Sequence, residues 1–422
     1  MKHTEELLDF IYKSPSCFHA VDQIKRYLAE AGYEQLEESM KWKICAGGRY
    51  FVMRNHSSII ALDLPENPEK GYRIIASHSD SPCFKIKENP EMTVEDKYVK
   101  LNVENYGGMI YSSWFDRPLS VAGRVVCDDG RGGLEERLAN IDRDLLIIPN
   151  LAIHMDKEVN TGYKYNPQRD LQPVYGTIAS KGRFMEEVAE AAGTKADAIV
   201  GHDLFLYQRG RGAVLGGCSE FLAAPKLDDL QCAFSSLKGF IGAKEKKHPS
   251  LLCVFDNEET GSGTKQGAAS SFLYDTLQRV NEAMDKSYED YLIDLAEGFM
   301  ISADNAHGLH PNRQEKADPV NRPVINGGIV IKFNAAQKYC TDGVTAGFFR
   351  LLCKRAGIKT QSFTNRSDIA GGSTLGNLSN LMVPIKSVDI GLPQLAMHSA
   401  WEMAGVEDME DMITMAAEFF NE

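Results

Sequence analysis

Apolar residues recur at helical spacing through the opening of the chain: Leu7, Leu8, Phe10 and Ile11, then Ala20, Val21, Ile24 and Leu28, with Ser14-Pro15-Ser16 between the two groups. This spacing predicts two helices joined by a turn between Glu5 and Ala31. From Arg49 onward the texture changes to short apolar runs, YFVMR, SSIIALDL and YRIIASHSD, bounded by Asn, Gly and Pro, which predicts strands. Between about Pro90 and Ala223 helical periodicity nearly disappears. The runs KYVKLNVENYGGMIYSSWF, LSVAGRVVCDDG, DLLIIPNLAIHM and HDLFLYQR read as β structure there, with KGRFMEEVAEAAG as the one helix. After Pro225 helix and strand alternate again: DDLQCAFSSLKGFIGA, LLCVFD, SSFLYDTLQRVNEAM and FMISAD. Alternation of this kind predicts a parallel or mixed sheet with helices on both faces. The expected fold is α/β, a mixed β-sheet flanked by helices, formed by residues 1–90 and 224–422 and interrupted by a β-rich insert over 91–223.

Composition narrows the function without choosing it. The 46 basic and 59 acidic side chains give a net charge of −13, the wrong sign for a nucleic-acid binder, which needs clustered Lys and Arg in excess. A hydrophobic content of 43% excludes disorder for the bulk of the 422 residues. No apolar run reaches the roughly 18 residues of a membrane helix. Glu5, Glu6 and Asp9 interrupt what an export signal would keep basic and then apolar. The nine cysteines are scattered, no two of them separated by only two residues, so zinc knuckles and redox pairs are absent. They read as reduced core residues, which points to the cytoplasm.

Five polar clusters carry candidate chemistry, and each has a plain structural reading beside the chemical one. In ASHSDSP, His78 and Asp80 follow an apolar strand and, two apart, share one side of an extended segment; a surface loop would look the same. In KLDDL, Asp228 and Asp229 sit where a helix starts, a common place for a capping carboxylate, although one could cap while the other points into a cleft. The run LLCVFDNEETGSG delivers Asp256, Glu258 and Glu259 directly from a strand, and adjacent glutamates repel unless split between two jobs, metal binding and proton transfer. Asp304, His307 and His310 follow FMISAD at spacing three, suited to a metal on a short helix or to a hydrogen-bonded loop. His398, beside Trp401 and Glu402, follows a Pro-bounded apolar turn where a core histidine is equally ordinary. Together they offer imidazoles and carboxylates on strand-end loops with no thiolate, the donor set of a co-catalytic two-metal hydrolytic site. No Gly-x-Ser-x-Gly elbow, phosphate-binding glycine loop or His-Glu-x-x-His helix offers a rival.

With these residues in view, the chain resembles the aspartyl aminopeptidase family of zinc metallopeptidases nearly end to end. The resemblance is carried, in order, by SPSCFHAV, ASHSDSPCFKIK, IPNLAIHM, APKLDDL, DNEETGS, SADNAHGLHPN, VIKFNAAQKY, GGSTLG and GLPQLAMHSAWEM. It implies a zinc-exopeptidase-like catalytic domain with an inserted dimerisation domain, two Zn2+ per subunit, with Mn2+ or Co2+ as alternatives, and peptide substrates cut at the N-terminal residue, preferably Asp or Glu. It further implies that His78, Asp228 and Asp304 hold one metal, that Asp228, Glu259 and His398 hold the other, and that Glu258 is the general base and acid. Asp80 would orient a metal-bound histidine, and His154, Lys332 and Tyr339 would contact substrate, His154 from a neighbouring subunit. His307 and His310 match loop-supporting positions. Dimers would assemble into a tetrahedral dodecamer. The segment RSDIAGGSTLGN lacks the Asn-Asp-Thr-Pro-type version of eukaryotic members, which bears on side-chain preference. A neutral or broad preference, a dinuclear aminoacylase, and a non-catalytic self-assembling cargo protein are the alternatives; Ser14 opens the first motif, leaving too little room for a cargo-type propeptide before it.

Overall fold

The computed structural model describes residues 3–422 and is built on three sheets. The largest has nine strands in the order Glu34–Leu36, Arg49–Arg54, Ser58–Asp63, Ser250–Phe255, Arg73–His78, Phe299–Ala303, Lys386–Gly391, Ile329–Phe333 and Thr360–Thr364. Its central four strands are mutually parallel, pairing Phe255 with His78, Ser302 with Ala76 and Ala303 with Ile390. Both faces of these strands are buried, which is why the sequence shows continuous apolar runs there. Alternate side chains point to opposite faces. Ile59, Ala61, Ile75, Val254 and Ile301 join the core under the helices Thr4–Tyr12, Cys17–Glu30, Leu227–Gly242, Gly343–Arg355 and Val406–Asn421. Ile60, Leu62, Ile74, Cys253 and Met300 join the core under Phe272–Ala283 and Tyr288–Glu297. Each fully buried Leu or Ile contributes about 1.5–3 kcal/mol. Gly239 lets two of the helices cross closely: a Cβ there would run into Ala416 and lie 2.8 Å from the carbonyl oxygen of Ile413.

The second sheet is antiparallel, in the order Leu134–Asn140, Leu119–Asp128, Ile199–Gln208, Cys83–Val94, Tyr98–Tyr106 and Val174–Thr177, over its own core around Phe84, Trp114, Leu204 and Phe184. The run DLLIIPNLAIHM, expected as a strand, forms only isolated bridges at Leu146 and Ile147. Pro149 donates no ladder hydrogen bond, and Leu151, Ile153 and Met155 point outward with no strand of this chain beside them. The third sheet is assembled from five short segments in the order Ala213–Leu215, Phe221–Ala224, Glu402–Gly405, Pro393–Leu395 and Ala306–His307. No helix among the described residues is long and apolar enough to cross a membrane.

Candidate metal centre

The site forms where the third sheet meets the carboxyl ends of the central strands, the edge at which open α/β sheets place their ligands. His78 ends the Arg73–His78 strand, Asp256 to Glu259 leave the Ser250–Phe255 strand, and Asp304 follows Phe299–Ala303. The small sheet supplies the rest. The Phe221–Ala224 strand leads to Lys226, held left-handed at φ 57°, and then to Asp228. His398, at φ 66°, stands in the turn between Pro393–Leu395 and Glu402–Gly405. The expectation that Asp228 and Asp229 open a helix is corrected in detail: both carry non-helical angles (φ −81°, ψ 107° and φ −118°, ψ 19°), neither caps, and both side chains are buried. The backbone turns them into the cleft.

The five residues His78, Asp228, Glu259, Asp304 and His398 converge. His78 Nε2 lies 3.3 Å from Asp228 Oδ1 and 3.8 Å from Asp304 Oδ1. His398 Nε2 lies 3.6 Å from Asp228 Oδ2 and 3.3 Å from Glu259 Oε2. Donor atoms within 4.8 Å of one another define three overlapping groups: His78 with Asp228, Asp229 and Asp304; His78 with Glu258 and Glu259; and Asp228 with Glu259 and His398. Asp80 stands behind them, its Oδ1 3.3 Å from His78 Nδ1. It accepts the backbone N–H groups of Glu258 and Glu259, each at 3.2 Å, so one carboxylate steers both a ligand-type ring and the turn that carries the glutamates.

The electrostatics ask for cations. Burial pushes the Asp228 carboxyl up, but the close His398 and His78 rings outweigh it and hold the group well below the usual range. Burial lowers His398, yet Asp228 raises it further, to about 9. His78 is likewise raised, by Asp228, Asp304 and Asp80 acting against burial. Burial lifts Glu258 to about 8 and raises Glu259 well above its ordinary value. Asp228 Oδ1 and Glu259 Oε1 are buried acceptors that no donor satisfies in hydrogen-bond geometry. Buried unsatisfied carboxylates are costly unless paired or metal-bound, so two imidazoles, these oxygens and no thiolate fit divalent zinc, manganese or cobalt.

Other expected residues fall in different places. Lys332, on the Ile329–Phe333 strand, is buried with Nζ 3.3 Å from Asp304 Oδ2; burial lowers its pKa, but Asp304 more than reverses the effect. Tyr339 is buried beside it, the Lys332 ammonium 5.7 Å from the ring centroid. His154 is exposed on a loop of the antiparallel-sheet unit, outside all three groups. His307 and His310 are exposed and lie on no helix; His310 Nδ1 accepts from the Asn312 N–H. Three further residues brace the site, of which Asp229 alone stood as a candidate in its own right, within KLDDL. Asp229 Oδ2 accepts the backbone N–H of His78 at 3.1 Å. Glu402 accepts the backbone N–H groups of Asp228 and His398 at 3.0 and 2.7 Å, tying together two loops 170 residues apart in sequence. Tyr106 donates to Asp80 Oδ2 at 2.7 Å. Glu402 carried a usable signal, a lone acid opening an apolar strand four residues after His398; Tyr106 carried none.

The family model for aminopeptidase I zinc metalloproteases (M18) matches residues 10–420. The chain is 45% identical to the probable M18 family aminopeptidase 2 of Clostridium acetobutylicum, over 100% of this chain and 99% of that protein. It is 39% identical to the protein of the same description from Pseudomonas aeruginosa, over 98% and 97%. Among solved structures, the Ape4 chain described as in complex with Nbr1 superposes with a TM-score of 0.96 at 32% identity, covering 100% of this chain and 86% of that one. The S. cerevisiae mApe1 dodecamer superposes at 0.87 and 27%, covering 99% and 96%. A sheet-end cluster of buried carboxylates and imidazoles with the donor set for zinc, carried on a chain matched almost throughout, identifies this protein as a member of the M18 family of zinc metalloproteases, an aminopeptidase that hydrolyses peptides.

Proposed function

We propose that each subunit holds two zinc ions and removes the N-terminal residue of peptides, with Glu258 as the proton-transferring group. The observation that carries this reading is Asp228, whose two oxygens face different imidazoles, His78 at 3.3 Å and His398 at 3.6 Å. His78, Asp228 and Asp304 would hold one ion; Asp228, Glu259 and His398 would hold the other, with Asp228 shared. Bound there, the ions supply Lewis-acid charge and lower the pKa of a water toward about 7. Glu258, within the same cluster and in none of these ligand roles, takes a proton from the attacking water and gives it to the leaving amine. Its rise to about 8 on burial suits a group that must both accept and donate near neutrality. Asp80 holds the His78 ring and the glutamate turn in place. Glu258→Gln tests the assignment: zinc content should stay at the wild-type level while turnover falls by about 10²–10⁴-fold. Wild-type turnover would sink it.

The preference we propose is for acidic N-terminal residues, as in aspartyl aminopeptidases, with Lys332 and Tyr339 lining the substrate side. One observation favours a neutral or broad preference instead: Lys332 is paired with Asp304, and a lysine already neutralised attracts a substrate carboxylate less. A panel of Asp, Glu, Leu and Lys nitroanilides decides between them. We also propose that the unit of residues 91–223 dimerises and that dimers build a dodecamer in the cytoplasm, with His154 reaching a neighbour's site. Exposed Leu151, Ile153 and Met155 around His154 support a buried place for this loop in an assembly, and a related structure is described as a dodecamer. A light-scattering mass of a fully active monomer would overturn this.

A further inference from the structure

We infer that the segment Tyr106–Ile110, which leaves the antiparallel sheet of the insert, is a positioning strap for one of the two metals, so that the insert itself maintains the Glu259/His398 site. The inference rests on the ligand assignment proposed above. Three successive residues of the strap touch the outer side of that site by three different means.

Tyr106, the last residue of the Tyr98–Tyr106 strand, donates its hydroxyl to Asp80 Oδ2 at 2.7 Å and accepts from Asn257 Nδ2 at 2.7 Å. Asp80 in turn accepts the backbone N–H groups of Glu258 and Glu259. The phenol therefore grips the glutamate turn at both of its ends, through the carboxylate that orients it and the asparagine that opens it. Gly107, at φ 75°, lies flat against Glu259: a Cβ built there would be 3.1 Å from Glu259 Cβ and 3.3 Å from its carbonyl oxygen. Glycine is needed at that position twice over, for the left-handed backbone and for the close approach. Gly108 offers its carbonyl oxygen to His398 Nδ1 at 2.7 Å, which fixes the tautomer that leaves Nε2 free toward Asp228 and Glu259. The Ile110 N–H closes the clasp by donating to the His398 carbonyl at 2.9 Å.

The other proposed metal meets the strap at one remove, through Asp80, whose Oδ1 lies 3.3 Å from His78 Nδ1 while Tyr106 holds Oδ2. His78 ends and Asp304 follows strands of the nine-stranded sheet, and the backbone N–H of His78 is held by Asp229, at the start of the Leu227–Gly242 helix and outside the insert. The strap is therefore selective: disturbing it should cost one ion first. Outer partners of metal ligands are typically worth about 10–100-fold in metal affinity. Tyr106 is a positioning residue in this scheme, acting through Asp80 and touching neither metal nor substrate.

The test uses full-length protein, dialysed free of metal and titrated with zinc against a chromophoric chelator. Gly107→Ala should weaken one of the two ions by about 10–100-fold and leave the other at its wild-type affinity. That variant also strains the backbone, so Tyr106→Phe serves as the mild companion. It removes one hydroxyl and keeps the ring packed edge-on against Phe205, with centroids 5.5 Å apart. It should leave the melting temperature of the metal-free protein unchanged, weaken the same ion by about 10-fold, and regain wild-type kcat/KM when zinc is in excess. A purely structural defect would not be rescued by zinc. Gly201→Ala, in the same sheet and meeting only Val126 Cβ at 3.9 Å, should titrate as the wild type does. Wild-type affinity for both ions in Tyr106→Phe and Gly107→Ala would overturn the strap while leaving the ligand assignment intact. If His398→Phe costs no ion, the ligand assignment itself falls, and the strap with it.

Discussion

Replacing Asp80 by Asn separates the two jobs a buried carboxylate does here, filling space and accepting charge-assisted hydrogen bonds. Asp80 Oδ1 takes the Glu258 N–H at 3.2 Å, and Oδ2 takes the Glu259 N–H at 3.2 Å and the Tyr106 hydroxyl at 2.7 Å. An Asn side chain keeps one acceptor oxygen and presents an NH2 group at the other position. Whichever way the amide faces, one glutamate N–H meets a donor. A hydrogen bond to a charged acceptor contributes about 1.5–3 kcal/mol, and 1.36 kcal/mol is a factor of ten, so losing one corresponds to about 10–150-fold. The negative charge that supports His78 as a ligand is lost as well. Asp80→Asn should therefore lower zinc affinity and kcat/KM each by about 10–150-fold with little change in KM. Chelator competition and steady-state kinetics on a peptide substrate measure both, with the melting temperature of the metal-free protein as the control for folding. Zinc affinity and kcat/KM both at the wild-type level would refute the reasoning.

Further expectations follow from the same geometry. His398→Phe should remove one zinc per chain by elemental analysis, and full occupancy would count against His398 as a ligand. Because carboxylates hold His78 and His398 protonated to higher pH than free imidazole, zinc binding near pH 7 should release protons, visible as a dependence of the calorimetric heat on buffer ionisation enthalpy; a buffer-independent heat would contradict this. His19 is pushed down from 6.5 to about 4 by burial, with Lys226 and Arg26 adding to it. Its folded pKa lies below the unfolded one, so the unfolded chain binds the extra proton; the stability is present above pH 6.5 and is lost as pH falls toward about 4. His19→Gln should flatten the melting temperature over that interval, and an unchanged slope would show that His19 is not the group responsible.

How much of this was legible in the sequence depended on burial and on chain distance. Three of the four central strands and their neighbour Ser58–Asp63 announced themselves because both faces are covered: LLCVFD, YRIIASHSD, FMISAD and SSIIALDL each carry a run of apolar residues. The polar residues ending three of them, His78, Glu258 with Glu259, and Asp304, were readable as a site for the same reason. The third sheet was not legible, since strands as short as Ala306–His307 and Pro393–Leu395 contain too few residues to show a period. Yet that sheet brings Asp228 and His398 into place. Asp228 and Asp229 read as a helix start because local sequence favours a cap; the buried bonds to Glu402 and His78 override it. Apolar LLIIPNLAIHM read as a strand because apolar pattern alone does not say what covers it: Leu145, Leu146 and Ile148 are buried against the antiparallel sheet, whereas Leu151, Ile153 and Met155 stay exposed. Tyr106 was invisible as a site residue, since its partner Asp80 lies on another sheet-end loop and nothing in ENYGG signals the contact.

Zinc titration of the metal-free protein, with bound metal and peptide hydrolysis followed together, tests the central claim most directly. The account expects two ions bound per chain, with hydrolysis recovered fully only as the second site fills, and no recovery in Glu258→Gln at the same occupancy. Full activity at a single equivalent of zinc, or in the metal-free protein, would contradict it.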